Sequence, residues 1–175
     1  MGTASNPKRR IPLTVTDKIL EGIGVLPLLC LWMLIISNYA TLPDNIPIHF
    51  KSGWEPDGYG SKTTIIALPI VATLLYLVLT FVAAFPHKLN YAVTITEVNA
   101  QKQYSIFTRF FRVFKVAIVV IFFIIEYKTI QMVTDLPDVL GKSSMFLVFA
   151  VLSTPIFYFL IQSSKNASRD TNSNI

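Results

Sequence analysis

The chain has 175 residues, of which 53% are hydrophobic and 14% charged, and its mean hydropathy is +0.55; a soluble domain carries about 25% charged residues. That balance excludes an ordinary water-soluble domain and fits one small bundle of helices dissolved in a bilayer. The net charge of +5 is no nucleic-acid footprint, because the basic residues flank apolar runs where they meet anionic headgroups. The single cysteine, Cys30, excludes an intrachain disulfide and a cysteine metal cluster.

Residues 1–17 read as a cytoplasmic N-terminal segment with Lys8, Arg9 and Arg10 ahead of the first apolar run. That run, 19–40, is longer than the 7–15 residues of a signal-peptide core and suits a retained span, since about 20 helical residues cross the hydrocarbon. The second, 63–85, follows Ser61 as a cap and stops at Pro86. A capping box of Thr94 and Glu97 predicts a cytoplasmic amphipathic helix over about 95–112. It carries Phe107, Phe110, Phe111 and Phe114 on one face and Lys102, Ser105, Arg109 and Arg112 on the other, which suits the inner membrane surface. The run 113–133 spans if Lys115 and Lys128 extend toward opposite surfaces. Within it Glu126 is the candidate intramembrane polar residue, placed either at the outer interface or in a proton or ion role. The run 144–162 tolerates Pro155, and 163–175 reads as a polar, disordered cytoplasmic tail.

These elements predict an all-α integral membrane protein: a four-helix membrane domain over 18–162 with a compact outer loop between helices 1 and 2. With the N-terminus inside, 11 of the 15 lysines and arginines fall on the inner side, which predicts a multi-pass protein of the cytoplasmic membrane with both termini cytoplasmic.

The outer loop, 41–62, is the most distinctive segment. Pro43 and Pro47 push their predecessors toward extended geometry, so 46–51 reads as a strand with Ile46, Ile48 and Phe50 on one side. Pro56-Asp57-Gly58 predicts a turn, and Gly53, Gly58 and Gly60 permit left-handed backbone. Trp54, Tyr59 and Tyr39 fall where an outer aromatic belt lies. The candidate recognition residues are Pro43, Asp44, Pro47, His49, Phe50, Gly53, Asp57, Gly58, Gly60, Ser61 and Lys62.

The order Leu42-Pro43-x-x-Ile46-Pro47-x-His49-Phe50, then Gly53, Asp57, Gly58, Gly60, Ser61 and Lys62, with a helix on either side, resembles the domain of unknown function in the N-terminal part of bacterial SdpI-type immunity proteins. The likeness covers roughly residues 20–80. It implies a cytoplasmic-membrane location and a sensor, immunity or envelope accessory role, with no catalytic mechanism. The partners expected are the lipid bilayer and a peptide or protein ligand at the loop, with the oligomeric state open. A small oligomeric transporter subunit is the alternative. An outer-loop metalloenzyme is a third reading, poor in donors: His49, Asp44, Glu55 and Asp57 share the loop, but His87 falls on the opposite side, so no catalytic, cofactor or metal residue is assigned.

Overall fold

The computed structural model describes residues 6–9, 11–91, 93–141 and 143–172, with side chains as far as Ser163. It is mostly helical: α1 (Val15–Asn38), α2 (Ala67–Ala84), α3 (Ala100–Val133) and α4 (Ser144–Asn172). Between α1 and α2 lies an antiparallel hairpin of β1 (Asn45–Phe50) and β2 (Pro56–Ser61), so the all-α expectation gives way to helices plus one hairpin.

Local chemistry sets the helix ends. Asp17 N donates to Thr14 Oγ1 while Thr14 N donates to Asp17 Oδ2, a reciprocal capping box that starts α1. Ser61 caps a 3₁₀ turn, Lys62–Ile66, that feeds α2, and Pro86 opens the turn that follows it. The start of α3 differs from expectation. Thr96 and Asn99 bond each other's backbone amides, whereas Glu97 pairs with Arg9 at 3.1 Å. The helix therefore begins at Ala100 and runs 34 residues without a break, joining the expected surface helix and third span into one rod. At 1.5 Å per residue it is about 51 Å long, well beyond a ~30 Å hydrocarbon core. At the other end of the chain, α4 passes the expected end at 162 and continues to Asn172.

α3 is the hub, since α1, α2 and α4 each pack principally against it. Asp17 at the start of α1, Thr80 near the end of α2 and Arg112 of α3 share one end of the bundle, where Phe159 of α4 meets Phe107 and Phe110. At the opposite end Ile35, Leu42, Ile46, Ile65 and Ile130 form a cluster that seats the hairpin on the ends of α1 and α3 and on the 3₁₀ turn ahead of α2. A middle cluster joins Leu31, Ala72, Tyr76 and Val119. The chain thus reverses at each connection, and the start of α1 lies at the same end as the later turns of α4.

Three helical segments are long and apolar enough to cross a membrane, Val15–Thr41, Lys62–Ala84 and Ser144–Ser163. Their outward surfaces carry large apolar side chains such as Ile36, Leu77, Phe81, Phe149 and Phe157. These features point to a membrane-embedded protein.

The contact of α1 with α2 and α3 depends on Gly24, where an added Cβ would lie 2.9 Å from Val116 Cγ2 and 3.3 Å from the Tyr76 hydroxyl. Gly22, two residues earlier and on the opposite side of the helix, has nothing within 4 Å. Gly24→Val should therefore destabilise the detergent-solubilised protein by about 1–3 kcal/mol through overpacking. Gly22→Ala should be neutral or stabilising by roughly 0.5–1 kcal/mol, as removal of a helical glycine normally is. Thermal unfolding of the two variants side by side checks both.

Candidate functional site

The hairpin turns at 51–55, not at Pro56-Asp57-Gly58. Lys51 N donates to Glu55 O at 2.8 Å and Trp54 N to Lys51 O at 3.2 Å. Gly53 (φ +80°) and Trp54 (φ +65°) carry the left-handed backbone. Asp57 and Gly58 belong to β2 instead, and neither Gly58 nor Gly60 has positive φ. Their reason for being glycine is cross-strand crowding: a Cβ at Gly58 would sit 3.1 Å from His49 Cβ, and one at Gly60 2.8 Å from Ile48 Cδ1.

Expected strand alternation also fails, for an identifiable reason. Pro47 pairs with Tyr59 and His49 with Gly58, leaving Ile48 as the extra residue of a bulge. Ile46 is consequently buried at 1% exposure while Ile48 is turned out at 52%. The hairpin presents Ile48, His49 and Tyr59 outward and seats Ile46, Pro47 and Trp54 inward. Across its outer part His49 Nδ1 bonds Asp57 Oδ1. At its base Lys62 pairs with Asp44 at 3.0 Å, and Lys62 N donates to Asp44 O. Ser61 Oγ accepts from Thr63 N, tying β2 to the 3₁₀ turn ahead of α2. Of the candidate residues, His49, Asp57 and Gly58 are thus brought together, Asp44, Ser61 and Lys62 form the base, Phe50 precedes the turn and Gly53 lies in it, and Pro43 is exposed ahead of β1.

Trp54 is not a belt residue. It is 6% exposed, packs edge-on against Phe50 and lies beneath Lys128, whose Nζ is 6.0 Å from the indole centroid. Lys128 does not reach for the surface either: it is buried and donates to Asp138 Oδ1 at 2.6 Å. That bond holds the Asp138 carboxyl below the ordinary carboxylate range. Hairpin, α3 and the α3–α4 connection thus meet around one lysine.

At the opposite end lies a second polar cluster. Arg109 Nε and Arg112 Nη1 donate to Asp17 Oδ1 at 3.1 and 3.3 Å, and Arg112 Nε donates to Glu21 Oε1 at 3.0 Å. Lys115 Nζ donates to Glu21 Oε2 and, at 2.7 Å, to Thr80 Oγ1, with the Tyr76 ring 4.2 Å away. The helix expected on the membrane surface is therefore part of the bundle. Arg109 and Arg112 of its basic face turn to the acids of α1 while Lys102 stays exposed, and Phe107 and Phe110 of its apolar face meet α4. A cleft of about 700 Å³ opens beside the cluster, rimmed by Lys8, Arg9 and His87. Asp17 and Glu21 were available in the sequence as two acids one turn apart at the head of an apolar run.

Glu126 is inside the bundle, not at an interface: it is 1% exposed, and Oε1 has no hydrogen-bond partner among the described residues. Among those residues no three His, Cys, Asp or Glu are grouped to hold a metal.

A family model described only as a domain of unknown function, DUF1648, matches residues 25–73, which take in most of α1, the whole hairpin and the start of α2. A protein of Archaeoglobus fulgidus described as uncharacterized is 36% identical over 63 residues, amounting to 36% of this chain. The chain spans 34% of the length of that relative. No solved structure matches. The matched module is the hairpin with its flanking helices, where the SdpI-type resemblance was expected over 20–80, and neither description carries an immunity role.

Removing one partner of a buried ion pair strands the other, at a cost of roughly 3–5 kcal/mol when fully buried. Glu21 is partly exposed and Lys115 is not, so Glu21→Gln should cost about 3 kcal/mol, at the lower end of that range. The Glu21→Gln/Lys115→Gln pair should recover most of it. A double-mutant cycle by denaturant unfolding in detergent checks the coupling.

Proposed function

We propose that the chain is a multi-pass protein of the cytoplasmic membrane, crossing it four times with both termini in the cytoplasm. Its β1–β2 hairpin faces outward as the recognition element for a peptide or protein ligand. In this reading the protein is a sensor, immunity or envelope accessory factor without catalytic activity of its own.

The observation that carries the proposal is the seating of the hairpin. Ile46 and Leu42 are buried among Ile35, Ile65 and Ile130, and Trp54 is pressed against Lys128, so the strands are fixed to α1, α3 and the 3₁₀ turn at once. On this fixed support Ile48, His49 and Tyr59 are exposed. A rigid platform bearing an aliphatic, an imidazole and a phenol binds with little ordering cost, because few rotamers and no backbone remain to be frozen.

Support for a fourth crossing comes from α3. Its cations Arg109, Arg112, Lys115 and Lys128 are paired by Asp17, Glu21 and Asp138, which removes the main obstacle to burying a helix that fails as an apolar span on composition. An even number of crossings also matches the lysine and arginine bias toward the end that carries both termini.

A photo-crosslinking amino acid at Tyr59, in membranes of the native host, should give a discrete protein or peptide adduct. The same probe at Phe81, on the exposed apolar side of α2, should give none. Equal labelling at both positions, or lipid adducts alone at Tyr59, contradicts the recognition reading.

A further inference from the structure

We infer that Glu126 is a proton-binding site that is neutral while the hairpin is seated and ionises when the hairpin lifts, so that seating of the hairpin and uptake of one proton are linked. The inference goes beyond the recognition reading and rests on the packing around Glu126 and the hairpin.

Glu126 shares a face of α3 with Val119, Phe122 and Phe123 before it and Ile130 one turn after it. Val119 belongs to the cluster with Leu31, Ala72 and Tyr76, and Ile130 to the cluster with Ile35, Leu42, Ile46 and Ile65. The carboxyl therefore lies between two apolar layers, on the side of α3 turned to α1 and α2. Beside Leu31 and Ala72, Trp32 Nε1 donates to Thr73 Oγ1, which donates to Pro69 O, so these two side chains are already engaged with each other.

Titratable groups on the surrounding elements offer no counter-charge. Asp17 and Glu21 of α1 are at the far end and held by Arg109, Arg112 and Lys115. Tyr76 of α2 donates to Glu21 O. Tyr39 sits under Lys62, which is paired with Asp44, and His49 is paired with Asp57. Tyr158 of α4 lies beside Arg109 at the far end. On α3 itself Lys128 points elsewhere, to Asp138 and the Trp54 ring. An ionised carboxylate has nothing to meet among these groups, and the neutral acid is the form that such a site accepts.

The hairpin is the cover. Ile46 packs on Ile130, one turn from Glu126, so lifting β1 opens the path by which water reaches the carboxyl. The seat is also not fully satisfied: Trp54 holds a left-handed backbone without being glycine, and its buried Nε1 has no partner among the described residues. Because the seated form holds the proton and the lifted form loses it, acid favours seating and alkali favours lifting.

Infrared spectroscopy of the protein in lipid vesicles tests this without any ligand. The wild type should show a protonated-carboxyl C=O band at neutral pH, far above the range in which an exposed glutamate, with a pKa of about 4.3, keeps its proton. Glu126→Gln should remove the band and Glu126→Asp should shift its frequency, so either variant assigns it. Ile46→Ala and Trp54→Ala, which loosen the seat, should each lower the proton affinity read from the band by about tenfold or more. Absence of a Glu126-dependent band at neutral pH overturns the proton site. A band that is present but unchanged in both hairpin variants overturns the linkage. Failure of crosslinking at Tyr59 leaves the band untouched, which separates this inference from the recognition reading.

Discussion

Charge pairing on α3 is the constraint on which the rest of the molecule depends. A helix bearing Arg109, Arg112, Lys115 and Lys128 cannot serve as the hub of an apolar bundle unless each cation meets an acceptor, since an isolated buried charge costs several kcal/mol. The acceptors come from other elements: Asp17 and Glu21 from the head of α1, Thr80 from α2, and Asp138 from the connection to α4. Each pair therefore fixes register between elements as well as neutralising charge. The first cluster sets how far α1 slides along α3, and Lys128 with Asp138 sets how the chain leaves α3.

Two consequences follow for the end that carries the hairpin. Lys128, held by Asp138, offers Trp54 a cationic face, and so the charge that ends α3 also receives the hairpin. Glu126, two residues earlier, is denied that lysine because side chains two apart point to different sides of a helix. The same segment thus contains one cation with several partners and one carboxyl without any among the described residues. That asymmetry makes the hairpin end the chemically unusual part of an otherwise apolar bundle.

What the sequence made legible was whatever depended on local composition. Val15–Thr41, Lys62–Ala84 and Ser144–Ser163 carry few charges, gathered at the head of the first two, and the extended geometry of 46–50 follows from Pro47 and β-branched neighbours. What it hid depended on partners distant in the chain. Arg109 and Arg112 looked like a solvated face because Asp17 and Glu21 lie more than ninety residues away. Lys115 looked like a snorkelling end for the same reason, whereas Lys128 finds Asp138 only ten residues on, across the bend that follows α3. Pro56-Asp57-Gly58 has turn chemistry, yet the chain turns at Gly53 and Trp54, and β2 runs across those residues with Pro56 opposite Phe50, because Ile48 on β1 and Asp57 on β2 are each left unpaired and the two offsets cancel. A bulge leaves little trace in composition, so Ile48 could not be told from Ile46.

The most direct measurement is cysteine accessibility at three exposed positions, Tyr59, Lys102 and Val139, introduced singly into a Cys30→Ser background and probed in intact cells with a membrane-impermeant thiol reagent. Four crossings with α3 among them require labelling at 59 and 139 from outside, and at 102 only after permeabilisation. If 139 is protected while 59 is labelled, α3 does not cross, and the buried pairs on it are an internal brace of a three-span protein instead of the means by which a charged helix enters the membrane.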